Sequence, residues 1–205
     1  MTKNYGIEGT VLHDDDPLDP TVEYDSLGTM ICNHSRYNLG HVQGNPADHL
    51  QKGDIVLPLY LMDHSGLSIS TKPFSCAWDS GRLGVIYVTQ EDLKKEGMSK
   101  EQALLCMEGE VETYNDYLTG NCFGYVIEDA DGEILDTCWD FLGGEEHCES
   151  EMNISLNYYI KKRKVEIEAR DLKYTVDDWI HEVLSHSTIL GLEEWRQHIE
   201  ESNEG

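Results

Sequence analysis

The sequence predicts an α+β fold: a central antiparallel sheet of six or seven strands, one packed helix and a helical C-terminal region. Three observations predict it. Short apolar runs, each bounded by Gly, Pro, Asn or Asp clusters, recur up to Val88 and again between Cys122 and Phe141. Between those two groups lies one long segment whose apolar residues recur at three- and four-residue spacing. From Glu145 onward the composition is that of helices.

Residues 5–12 read as a strand, with Tyr5, Ile7, Thr10 and Leu12 among polar neighbours, and His13 to Pro20, with two prolines and four Asp, as a loop. Gly28 to Cys32 is a short strand, Asn33 to Asn45 a loop, and Pro46 to Gln51 one helical turn stopped by Gly53. Asp54 to Met62 is nearly all apolar and predicts a strand buried on both faces. Asp63-His64-Ser65-Gly66 has turn composition, and the alternation over Leu67 to Thr71 completes a hairpin. Pro73 to Gly84 reads as an irregular loop and Val85 to Val88 as a strand.

Thr89 followed by Asp92 marks a helix start and Gly97 its stop. Ser99 caps the longer helix to about Leu118, with Gly120 beyond it; Leu104, Met107, Val111, Tyr114 and Leu118 form its apolar stripe. Glu101, Glu108, Glu112 and Asp116 fall mainly on the other side, the last three about 6 Å apart along the axis. Cys122 to Glu128 and Glu133 to Phe141 form a hairpin about Asp129-Ala130-Asp131-Gly132, where the Asp-Gly pair signals the turn. One long helix is expected over Glu145 to Leu172, a break near Asn157 being the alternative, and shorter ones over Val176 to Ser185 and Leu192 to Glu201. Residues 1–144 thus make an α+β core domain, and 145–205 a helical extension that packs on the core or mediates oligomerisation.

The net charge of −25 narrows function. Direct nucleic-acid binding and attachment to anionic membranes are disfavoured by repulsion. No apolar run reaches the ~18 residues of a membrane span, and the N-terminus lacks a signal peptide's apolar segment, so a cytoplasmic protein of a bacterial cell is expected. Residues 101–150 carry 14 acidic side chains and no Lys or Arg, against 14 acidic and 8 basic in the first hundred residues and 12 and 7 after 150. A solvated face accounts for such a stretch, and so does a binding surface for a basic partner. Lys161-Lys162-Arg163-Lys164 is the one basic run, suited to the protein's own acidic surface or to that of a symmetric partner.

Cys32, Cys76, Cys106, Cys122, Cys138 and Cys148 form no C-x-x-C pair and are expected as free thiols, Cys106 in the core. If the chain is an enzyme, Cys76 as nucleophile, His64 as base and Asp63 and Asp79 as orienting carboxylates supply the residue types on two neighbouring loops. No metal or other cofactor is favoured. The residues that would supply a zinc site are Cys32, His34, His64 and Cys76, with His41 beside them, but their spacing is looser than structural zinc sites show. Asp14, Asp15, Asp16 and Asp19 lack the calcium-loop spacing.

Three blocks carry a likeness: Tyr24 to Met30; Leu57 to Gly66 with Pro73 to Gly81; and Gly109 to Gly120, ending near Cys138-Trp139. Over roughly residues 10–142 the chain resembles a family of small acidic proteins of bacteriophages and mobile elements. The family offers no established activity, so no catalytic residue carries over. The resemblance implies an accessory protein working inside a bacterium. In that setting the expected function is an acidic nucleic-acid mimic of the anti-restriction or anti-CRISPR type, binding a host protein in its basic nucleic-acid groove. Its binding residues would be Glu101, Glu108, Glu112, Asp116, Glu128, Asp129, Asp131 and Glu133. The alternatives are the Cys/His/Asp enzyme and a structural or assembly protein of the mobile element, with a homo-oligomer formed through the C-terminal helices.

Overall fold

A computed structural model describes residues 4–203. The fold is α+β, with the elements β1 (Glu8–His13), α1 (Pro20–Glu23), β2 (Thr29–Cys32), β3 (Val42–Gln43), β4 (Ile55–Asp63), β5 (Leu67–Ser70), β6 (Ser80–Val88), α2 (Gln90–Glu96), α3 (Lys100–Thr119), β7 (Cys122–Glu128), β8 (Ile134–Leu142), α4 (Glu145–Lys173), α5 (Val176–Leu184) and α6 (Leu192–Asn203). A 3₁₀ turn covers Pro46–Asp48.

The strands form two sheets rather than the single antiparallel one expected from the sequence. One has the order β1-β7-β8 and the other β3-β2-β6-β4-β5. The second contains a parallel pair, Ile31 with Val42 and Cys32 with Gln43, inside what the sequence reads as a loop. Two residues are too few for any periodicity to announce them. The loop expected to run to Gly84 ends earlier. β6 begins at Ser80 because β4 is long enough to pair from Ile55↔Val88 to Met62↔Ser80, with a bulge at Leu59/Tyr60. β6 crosses β2 so closely that a Cβ on Gly84 would overlap the Ile31 carbonyl. The long helix read over Glu145 to Leu172 is present and runs unbroken through Asn157, whose side-chain amide donates to the Asn153 carbonyl.

The chain divides into two compact units, Thr10–Val126 with Thr137–Met152, and Met1–Gly9 with Ile127–Asp136 and Asn153–Gly205. In the first, α3 lies on the five-stranded sheet. Its Ala103, Met107, Val111 and Tyr114 are buried with Met30, Leu59, Ile69, Leu83 and Ile86. The ends of α3 are fixed as the sequence foretells. Ser99 and Gln102 close a capping box, and Gly120 takes the left-handed conformation at φ 70°. Cys106, expected in the core, is half-buried with its thiol toward Glu110.

The second unit holds the hairpin turn and the C-terminal helices. The Asp129 carboxylate accepts from the Asp131 and Glu133 amides, which shapes the turn. Tyr174 and Trp195 are buried edge to face with centroids 6.4 Å apart. Arg196, only 5% exposed, donates to the Tyr174 carbonyl and pairs with Asp171 at 2.9 Å and Glu193 at 3.0 Å. Arg170 reaches the same Glu193 at 2.6 Å. No helix among the described residues is long and apolar enough to cross a membrane.

Candidate functional site

The carboxylates of α3 divide by face. Glu108, Glu112 and Asp116 line one wall of an open groove of about 510 Å³. Its other wall is Ser68, Ser70, Thr71, Lys72 and Phe74, from β5 and the loop after it. This arrangement follows from two local facts: α3 packs its apolar stripe on the sheet, and β5 is the sheet's edge. Glu108 and Glu112 have no ion-pair partner among the described residues, whereas Asp116 accepts from the Asn121 amide at 2.8 Å. Asn115 points its side-chain oxygen at β5 and takes the Ile69 N–H at 2.9 Å, closing one position of the edge. Glu101 is exposed in the first turn of α3 and does not line the groove.

Glu128, Asp129, Asp131 and Glu133 belong to the other compact unit. There Glu128, Asp131 and Glu133 are exposed, while Asp129 is committed to its own turn. The eight acidic positions therefore fall into two separate groups.

The loop residues Asp63, His64, Cys76 and Asp79 are brought near one another by the β4–β6 pairing. Because Met62 pairs with Ser80, the next residues outward, Asp63 and Asp79, face across the strand ends, and the Asp63 N–H donates to the Asp79 carbonyl at 2.8 Å. One oxygen of Asp79 then meets His64 Nδ1 at 3.1 Å and the Cys76 thiol at 3.4 Å. A thiol–imidazole dyad needs the thiol on the imidazole; here the carboxylate stands between them. Asp63 turns away to Arg36 at 2.5 Å and Tyr37 at 3.1 Å. The pinned loop carries Trp78, which is 97% exposed.

The zinc candidates do not converge. Cys32 is fully buried in β2 and its thiol is pushed up to about 12 by burial. His34 accepts from the Arg36 and Tyr37 amides and stacks on Tyr37, while His41 accepts from the Met30 amide. Among the described residues one trio brings ligand atoms within 4.8 Å of one another, namely Asp14, Cys122 and Asp140. Three of its four carboxylate oxygens already accept backbone N–H groups. Asp14 accepts from the Asp16 and Asp140 amides, and Asp140 from the Leu18 amide. Burial and then Asp14 and Asp140 push the Cys122 thiol up to about 11. Of the other acidic loop residues, Asp19 caps α1 and Asp15 lies beside His13.

Sequence reasoning overlooked Glu110. It accepts from the Leu27 amide at 2.6 Å and the Gly28 amide at 3.0 Å, fastening the segment before β2 to α3. Burial raises its pKa, and the two amides and the Cys106 thiol partly offset that. The signal was available. Glu110 stands seven residues after Ala103 and four before Tyr114, so a carboxylate lies on the buried stripe.

Comparison with family models, curated proteins and solved structures returns no match to this chain.

Proposed function

We propose that the protein acts by binding rather than by catalysis, as an acidic mimic of nucleic acid that occupies the basic groove of a nucleic-acid-binding protein, in the manner of an anti-restriction or anti-CRISPR accessory protein of a phage. The observation that carries this reading is the groove whose one wall is Glu108, Glu112 and Asp116 and whose only basic residue is Lys72. Basic side chains of a partner would meet an unneutralised row of carboxylates there, and complementary charge speeds encounter as well as holding register. Trp78 supports an interaction role, because large exposed aromatics on ordered loops are the residues that most often anchor interfaces.

The test starts with capture of the partner from bacterial lysate at low and high salt, followed by titration of the purified pair against a DNA or RNA probe. Binding should weaken steeply with salt and the probe should compete. The triple variant Glu108→Gln, Glu112→Gln, Asp116→Asn should lose roughly 0.6–3 kcal/mol, or roughly 3- to 150-fold in affinity, at about 0.2–1 kcal/mol per exposed ion pair. A ternary complex with nucleic acid in the same groove would refute mimicry.

The second reading, an enzyme on these loops, rests on the gathering of His64, Cys76 and Asp79 alone, and Asp79 would have to give up one of its two contacts before the thiol could reach the imidazole. Cys76→Ala separates the two, for a mimic keeps its binding and a thiol enzyme loses its activity.

A further inference from the structure

On its β3 side, strand β2 is paired only at its last two positions, Ile31 with Val42 and Cys32 with Gln43. Ahead of that pair, both backbone groups of Met30 are met by His41. The His41 N–H donates to the Met30 carbonyl at 3.0 Å. The Met30 N–H donates to Nδ1 of the His41 ring, also at 3.0 Å. Met30 is buried, so this N–H is out of reach of bulk water. The ring can accept there only while Nδ1 is bare, which places the proton of the neutral imidazole on Nε2.

This bridge closes a short flap, residues 39–44. Within it the Gly40 N–H donates to the Tyr114 hydroxyl and the Gly44 N–H to the Cys32 carbonyl, both at 3.0 Å. Gly40, at φ 71°, lies so close over β2 that a Cβ on it would meet Cys32 Sγ at 2.8 Å. The flap thus rests on the thiol of Cys32, which is fully buried. Protonation works against the bridge. A proton on Nδ1 would set N–H against N–H at 3.0 Å, and turning the ring away would leave the Met30 N–H buried and unpaired. The titratable groups around this contact are Asp19 ahead of α1, Tyr24 and Asp25 after it, Glu110 and Tyr114 on α3 and Cys32 on β2. Burial holds the imidazole below its ordinary value of 6.5, with Asp19 opposing. The stability that neutral His41 contributes is therefore fully present above 6.5 and is lost as pH falls toward the lowered folded value. We propose that His41 is an acid-sensitive latch, whose protonation frees the flap from β2 and uncovers Cys32 while β4 and β6 stay paired. The latch is independent of the acidic groove and stands or falls separately from the mimic reading.

The test labels the folded protein between about pH 7.5 and about pH 5 with 4,4′-dithiodipyridine, a thiol reagent that stays reactive in mild acid. The initial labelling rate of Cys32 is measured by peptide mass against that of exposed Cys138 in the same molecule. Labelling through a local opening follows the open population. The ratio should rise about tenfold per pH unit below 6.5 until the lowered folded value is reached, the slope of one linked proton. His41→Asn keeps an oxygen acceptor near the place of Nδ1 and does not titrate, so its ratio should stay flat. His41→Ala should label Cys32 faster than the wild type already at neutral pH. Hydrogen exchange of the wild type needs no variant: the Met30, Gly40, His41 and Gly44 amides should lose protection together in acid while the β4–β6 amides keep theirs. A wild-type ratio that does not rise below 6.5, an equal rise in His41→Asn, or an Ala variant as closed as the wild type would overturn the latch. Loss of protection in β4 and β6 at the same pH as in the flap would overturn it as a local opening.

Discussion

Replacing Glu110 with Ala removes the acceptor of two backbone N–H groups at once, those of Leu27 and Gly28. A buried donor left without a partner costs about 1–3 kcal/mol, and a bond to a charged acceptor is at the upper end of that range. Two such donors set a gross loss of roughly 2–6 kcal/mol. Two terms reduce it. The carboxylate itself is held against a desolvation cost, shown by its raised pKa, and that cost disappears with it. Water can also reach the segment before β2 once the side chain is shortened. The net expectation is a loss of about 2–3 kcal/mol at neutral pH. Glu110→Gln should fall between wild type and Ala, because one amide keeps an oxygen acceptor while the other faces an NH₂.

The pH dependence gives a second, sharper reading. A carboxyl whose folded pKa lies above its unfolded value binds its proton more tightly in the folded protein. The part of its contribution that depends on the bound proton is therefore fully present below the ordinary value of 4.5 and is lost as pH rises through the raised folded value, leaving the carboxylate's two hydrogen bonds at neutral pH. Urea unfolding of wild type and Glu110→Gln, followed from neutral pH down to that ordinary value, should show the stability difference moving in favour of the wild type as pH falls. Using the difference cancels the general relief of self-repulsion that a protein of net charge −25 gains on acidification. An alanine variant as stable as the wild type, or a difference that moves in favour of the Gln variant at low pH, would refute the assignment of Glu110 as a buried clamp.

Two further outcomes follow from the geometry. Arg196→Ala should loosen the C-terminal helices by roughly 1–3 kcal/mol, below the 3–5 typical of a broken buried pair, because the carboxylates it strands, Asp171 at 42% and Glu193 at 67% exposure, are still reached by water; hydrogen exchange in α5 and α6 would report it. Of the six thiols, exposed Cys138 should react first with a disulfide reagent at pH 8, whereas Cys32, Cys122 and Cys148 should label only on unfolding, since burial both hides them and raises their pKa.

Much of the fold was legible because it is written locally. Ser99, Thr89, Gly97 and Gly120 mark helix ends through their own backbone and side-chain chemistry, and Asp131-Gly132 marks a hairpin in the same way. What local chemistry cannot state is which distant backbone a side chain will serve. Glu110 and the Leu27 amide are 83 positions apart, Asn115 and the Ile69 amide 46. Each reads as an ordinary polar residue on a helix until packing brings an unpaired N–H to it. The gathering of His64, Cys76 and Asp79 was predictable from two neighbouring loops, but their order was not. A bridging carboxylate and a thiol on the imidazole have the same sequence, and only the register of β4 on β6 separates them. Arg196 was missed for a related reason, since its partners come from two segments, Asp171 to Tyr174 at the end of α4 and Glu193 in its own helix.

The amide that Asn115 takes from Ile69 has a consequence for any visitor to the groove. A sheet edge normally invites a guest strand, whose main chain would zip onto it whatever its side chains were. With that rung occupied from within, strand addition along β5 loses a hydrogen bond just where the carboxylates stand. A guest is left to hold on by what its side chains carry, so admission is decided by charge and reach rather than by backbone shape.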